Sequence, residues 1–141
     1  MIGMEGLPFV CESDANAIAR VVLVVEDEFL LRCSIADSLR EGGYAVVETA
    51  SGEAAIALCR SGMLIDIVFT DINLIGAISG WDVAESLRAA VPNMSVLYTS
   101  GKAVDPARCV SDSMFIAKPY RNGHCRPDAD DPGCVKTGRL I

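Results

Sequence analysis

Val21-Val22-Leu23-Val24-Val25-Glu26-Asp27-Glu28 decides the fold. Its first five residues are apolar, mostly β-branched, and have no polar residue among them. A strand with one wet face alternates; a strand buried on both faces does not. The unbroken run therefore predicts a central strand of a parallel sheet. It stops on consecutive carboxylates, which an apolar strand delivers to one edge of that sheet.

Working outward, residues 29–40 place Leu30, Leu31, Ile35 and Leu39 at helical spacing. Gly42-Gly43 ends this helix, because glycine accepts the left-handed conformation of a helix terminus. Residues 44–48 read as a second strand. Ser51 is a suitable N-cap for a second helix that runs to Arg60, before Gly62. A third strand over 65–70 ends at Asp71. A loop containing Asn, Gly and Ser leads to a helix over 81–90, which Pro92 stops. Fourth and fifth strands follow at 95–99 and 114–117, the last closed by Lys118-Pro119. Strands alternating with helices predict βαβ units, hence a parallel sheet with helices on both faces. Right-handed crossovers restrict this to a doubly wound α/β sandwich. Such sheets bind ligands beyond the carboxyl ends of their strands, where the strand order reverses.

The chain of 141 residues suits one domain, with a leader at 1–19 and an irregular or disordered tail at 121–141. A net charge of −7 argues against partners that are nucleic acids or anionic membranes, both of which need concentrated Lys and Arg. No apolar run approaches the ~20 residues of a membrane-spanning helix. The leader carries Glu5, Glu12 and Asp14 before any basic residue, unlike a secretory signal, so a cytoplasmic location is expected. Cys11, Cys33, Cys59, Cys109, Cys125 and Cys134 form no C-x-x-C pair, and free thiols suit a reducing compartment. His124, Cys125 and Cys134 match no zinc spacing.

Polar residues fall where the apolar runs stop. Glu26 and Asp27 close strand one, Asp71 strand three, Thr99 and Ser100 strand four, and Lys118 strand five. All are pushed to the same sheet edge, so residues distant in sequence should converge. Carboxylates gathered in one cleft repel one another unless a cation joins them, and Mg²⁺ suits carboxylates, waters and a phosphate oxygen. With the Lys118 ammonium and the Thr99 hydroxyl, the set matches a phosphoryl group carried on a carboxylate. Any one charged strand end has a duller reading as sheet surface; the set together favours a site. Phe115 reads equally well as core, and Trp81 as a packing residue.

The segments 22–28, Phe69-Thr70-Asp71-Ile72-Asn73-Leu74, Leu97-Tyr98-Thr99-Ser100-Gly101 and Phe115-Ile116-Ala117-Lys118-Pro119-Tyr120 resemble the receiver domain of two-component response regulators. The resemblance covers residues 20–120. It implies a flavodoxin-like, five-stranded sheet in the order 2-1-3-4-5. Asp71 is then the phosphoacceptor, and Asp27 and Asp71 are Mg²⁺ ligands joined by the Asn73 carbonyl and, through water, by Glu26. Thr99 is the switch hydroxyl, Lys118 its partner at the phosphoryl group, and Phe115 the switch aromatic. The Lys118–Pro119 bond is implied to be cis. No organic cofactor is implied. The implied activity is that of a signalling domain catalysing only its own phosphorylation and dephosphorylation. A histidine kinase or phosphotransfer protein would be the donor, and output would pass through protein contacts.

The sequence departs from that pattern in three places. The loop after Asp71 is long and lacks the family's early proline, which suggests mobility. Residues 101–113 show little helical periodicity, so the fourth helix should be reduced. Breakers after Tyr120 make a fifth helix doubtful, leaving an apolar sheet flank for the leader at 1–19 or a second subunit to cover; self-association as a homodimer is the expectation. Two rival readings are a receiver-like interaction module that is never phosphorylated and an aspartate-nucleophile hydrolase. The hydrolase would need a second carboxylate two residues after the nucleophile, where Asn73 stands.

Overall fold

The computed structural model describes residues 18–102, 105–118 and 134–137. In chain order these form β1 (Val21–Val25), α1 (Phe29–Glu41), β2 (Ala45–Thr49), α2 (Gly52–Arg60), β3 (Ile67–Asp71), α3 (Gly80–Ala90), β4 (Ser95–Ser100), a 3-10 turn (Pro106–Arg108), β5 (Ser113–Ala117) and β6 (Cys134–Thr137). The sheet order is β2-β1-β3-β4-β5-β6. Its first five strands are parallel, in the order 2-1-3-4-5 that the resemblance implies. The chain leaves β1 for one neighbour and returns to pair with β3 on the other side. That reversal opens a crevice at the carboxyl ends of β1 and β3.

Both faces of β1 are buried, as its unbroken apolar run requires. Val22 and Val24 join Ile35, Leu39, Ile67, Phe69, Leu97 and Ile116 on the α1 side. Leu23 and Val25 join Ala55, Val68, Val83, Leu87, Val96 and Tyr98 on the α2 and α3 side. Local sequence sets the helix boundaries. Ser51 accepts from the Ala54 amide at the start of α2. Ser79 and Asp82 form a reciprocal capping box at the start of α3. Past α1, Gly43 takes a left-handed φ of +96°.

The reduced fourth helix appears as the 3-10 turn, whose connection is pinned by side chains. The Val110 amide donates to the Tyr98 hydroxyl at 3.1 Å, and Arg88 donates to the carbonyls of Met94 and Ser111.

One expectation needs correction. Four residues of the stretch read as an irregular tail form β6, antiparallel to β5. The edge of β5 offers unpaired backbone groups, and the Val135-Lys136-Thr137 segment runs along them. On the α1 face of the sheet, Leu97 and Ile116 are 1% and 2% exposed. The site of the doubtful fifth helix, Pro119 and its peptide bond, His124, Cys125 and leader residues 1–17 lie outside the described residues. Cys33, Cys59 and Cys109 are free thiols.

Candidate metal and phosphoryl site

Asp71 is the last residue of β3 and sits in register with Thr99 of β4. The start of α3 packs directly on it: a Cβ on Gly80 would clash with the Asp71 carbonyl oxygen, so only glycine permits this approach. The Gly80 amide donates to the Ile72 carbonyl at 2.8 Å and closes the β3–α3 loop. The Asn73 amide donates to Asp71 Oδ1 at 3.2 Å, and the Asn73 side chain donates to Ser100 Oγ at 3.2 Å.

Lys118 follows β5 immediately, and its amide is held by the Ser100 carbonyl. Its Nζ lies 3.1 Å from Asp71 Oδ2 and 3.2 Å from Glu26 Oε1. Burial opposes the Lys118 charge, but the Asp71 and Glu26 carboxylates outweigh it and hold the group above the usual lysine value. Burial pushes the Glu26 carboxyl up. The Asp71 charge adds to this effect, while the Glu28 amide and Lys118 oppose it. A buried carboxyl raised in this way is one that a further positive charge would relieve.

Glu26, Asp27 and Asp71 each present an oxygen within 4.8 Å of the others. Glu26 and Asp71 are buried; Asp27 is half-buried and accepts from the Ile75 amide at 2.8 Å. Beneath the acid couplet, Arg32 donates to the Glu26 carbonyl at 2.9 Å and faces Glu48 at 3.6 Å. Thr99 is fully buried, and its Oγ1 has no hydrogen-bond partner among the described residues. A buried hydroxyl without a partner costs free energy, so Thr99 is held here at a local cost.

The structure thus gathers Glu26, Asp27, Asp71 and Lys118, with Thr99 beside Asp71. Phe115 is half-buried against the α2 and α3 side of the core, in register with Tyr98. Trp81 packs on Tyr98, ring centroids 5.1 Å apart. Sequence reasoning missed Arg32, a lone cation between Leu31 and Cys33, which its break in the apolar stripe flags. Ser100, at the end of β4, is a satisfied hydroxyl whose Oγ accepts from both the Asn73 side chain and the Lys102 amide. The Ile75 amide carries no side-chain signature at all.

A doubly wound sheet with an acidic, lysine-bridged crevice at its switch point defines the class: a flavodoxin-like domain with three carboxylates and an ammonium gathered at the carboxyl edge of its sheet. The sequence matches the response regulator receiver domain family over residues 22–124, and the chain belongs to that family. It is 31% identical over 113 residues to the transcriptional regulatory protein PdtaR of Mycobacterium tuberculosis, covering 77% of this chain and 54% of that protein. The chain therefore spans about half the length of that relative. Among solved structures, a response regulator receiver protein from Sinorhizobium medicae aligns with a TM-score of 0.71 at 35% identity, covering 74% of this chain and 86% of that one. The receiver domain of the hybrid histidine kinase CckA aligns with a TM-score of 0.61 at 29% identity, covering 72% and 87%.

Receiver domains bind Mg²⁺ at an acidic site, and the cluster here suits that ion. Its donors are hard oxygens, as Mg²⁺ prefers, and Glu26 and Asp71 are buried beside a counter-cation that only partly offsets their repulsion. No described helix is long and apolar enough to cross a membrane.

Proposed function

We propose that this chain receives a phosphoryl group on Asp71 from the phosphohistidine of a histidine kinase or phosphotransfer protein, and signals by a change of conformation. The supporting observation is that Lys118 bridges Asp71 and Glu26 while the buried Thr99 hydroxyl lacks a partner. An Asp71 oxygen forms a bond to phosphorus as the bond from phosphorus to the donor imidazole breaks, and the imidazole nitrogen keeps the electron pair. Glu26, Asp27, Asp71 and the Asn73 carbonyl would hold Mg²⁺. When bound, that ion neutralises charge on the transferring oxygens. Lys118 then pairs with one phosphoryl oxygen, and Thr99 donates to another. Phe115, which packs against the core beside Tyr98, turns inward as Thr99 shifts. The populations of the two states move by the free energy of those contacts. Hydrolysis of the acyl phosphate resets the domain.

Phe29 and Leu30, at the start of α1 beside the acid couplet, are 63% and 75% exposed. An apolar rim around a charged pocket suits docking of the phosphohistidine-bearing partner. The acidic net charge fits output through protein contacts in the cytoplasm rather than nucleic-acid binding.

Acetyl phosphate and Mg²⁺ followed by intact-mass measurement test the proposal. The chain should gain one phosphoryl group, and Asp71→Asn should gain none. A folded chain that stays unmodified would instead be an interaction module. Turnover of unrelated phosphate esters would indicate a hydrolase.

A further inference from the structure

Lys118 locks two of the three clustered carboxylates, Glu26 and Asp71. Asp27 is held differently. It is half-buried, and its Oδ2 accepts from the backbone amide of Ile75, 48 positions away in sequence, at 2.8 Å. That amide exists because residue 75 is not proline, in a loop read from sequence as lacking an early proline.

The same sequence reading suggested mobility, and the contacts show an anchored loop. Leu74 and Ile78 pack against the α2 and α3 side of the core. Gly76 turns the chain at φ +114°, next to Glu53, in a conformation that side chains disfavour. Gly80 seats the far end of the loop on the Asp71 carbonyl. The Ile75 donor therefore points at Asp27 from a fixed frame. An amide on one carboxylate oxygen leaves the other for a cation, and its positive end offsets the repulsion from Glu26 and Asp71.

We infer that the Ile75 amide is a positioning group for the metal site, fixing Asp27 and coupling Mg²⁺ binding to the hydrogen bond between the loop and that carboxylate. This inference rests on the metal reading above and specifies which backbone atom tunes it. Linkage is reciprocal: if the Ile75–Asp27 hydrogen bond favours the ion, the ion favours that hydrogen bond by the same factor.

Mg²⁺ titrations followed by amide NMR test this in the full chain. Ile75→Pro deletes the donor and should weaken Mg²⁺ binding about 10- to 100-fold, the usual cost of losing a partner that orients a metal ligand. Ile75→Ala keeps the amide and should bind like the unaltered chain. In the unaltered chain, hydrogen exchange at the Ile75 amide should slow when Mg²⁺ is added. A folded Ile75→Pro variant with unchanged affinity overturns the inference. So does Mg²⁺-independent exchange at Ile75, which decides the matter even if the proline variant does not fold. An unaltered chain that binds no Mg²⁺ removes the metal reading itself, an outcome distinct from normal binding that ignores the Ile75→Pro change.

Discussion

Thr99 and Asp27 are residues whose local cost makes sense only through the site. The buried Thr99 hydroxyl has no partner among the described residues. Thr99→Val, equal in shape, should therefore stabilise the unphosphorylated chain by about 1 kcal/mol in urea denaturation. The same change should blunt the response to beryllium fluoride, because the donor to the phosphoryl oxygen is gone. Asp27 adds a third negative charge to Glu26 and Asp71. Asp27→Asn should raise metal-free stability by on the order of 1 kcal/mol and abolish the rise in melting temperature that Mg²⁺ gives the unaltered chain. The acid couplet, Asp71 and Lys118 were legible in sequence because each ends an apolar run. Arg32 and the Ile75 amide were not. Arg32 acts on a carbonyl, and a backbone donor looks the same in every non-proline residue.

The connections between strands carry what distinguishes this chain. Between β4 and β5, the Tyr98 hydroxyl holds the Val110 amide where a fourth helix is reduced to one turn. Burial pushes the Tyr98 phenol up to about 12 from 10.0. Its folded pKa is raised, so the stability it contributes is complete below pH 10.0 and is lost as pH climbs toward about 12, where only the unfolded chain has already released the proton. Tyr98→Phe should flatten this alkaline decline. It should also cost about 1 kcal/mol at neutral pH, because the Val110 amide loses its acceptor. At the head of α3, Ser79→Ala removes half of the capping box and should cost about 1 kcal/mol in thermal denaturation. The helices and the parallel strands were legible from periodicity and capping residues. β6 was not: four residues between Gly133 and Gly138 are too few to show alternation, and their pairing is set by the open edge of β5.

At the scale of the molecule, parallel strand order turns remote sequence into a site. Residues 26, 27, 71, 99 and 118 meet because every strand from β1 to β5 runs the same way and each polar group follows its strand's apolar body. Mg²⁺ should therefore stabilise the whole fold, because the unfolded chain scatters its ligands. The most direct test is ¹⁹F NMR of the chain with beryllium fluoride, which mimics a phosphoryl group on a carboxylate. Bound-fluoride resonances should appear only when Mg²⁺ is present, vanish in Asp71→Asn, and shift in Lys118→Met. Bound resonances that persist in Asp71→Asn, or none at all in the folded chain with Mg²⁺, would contradict a phosphoryl site at the end of β3.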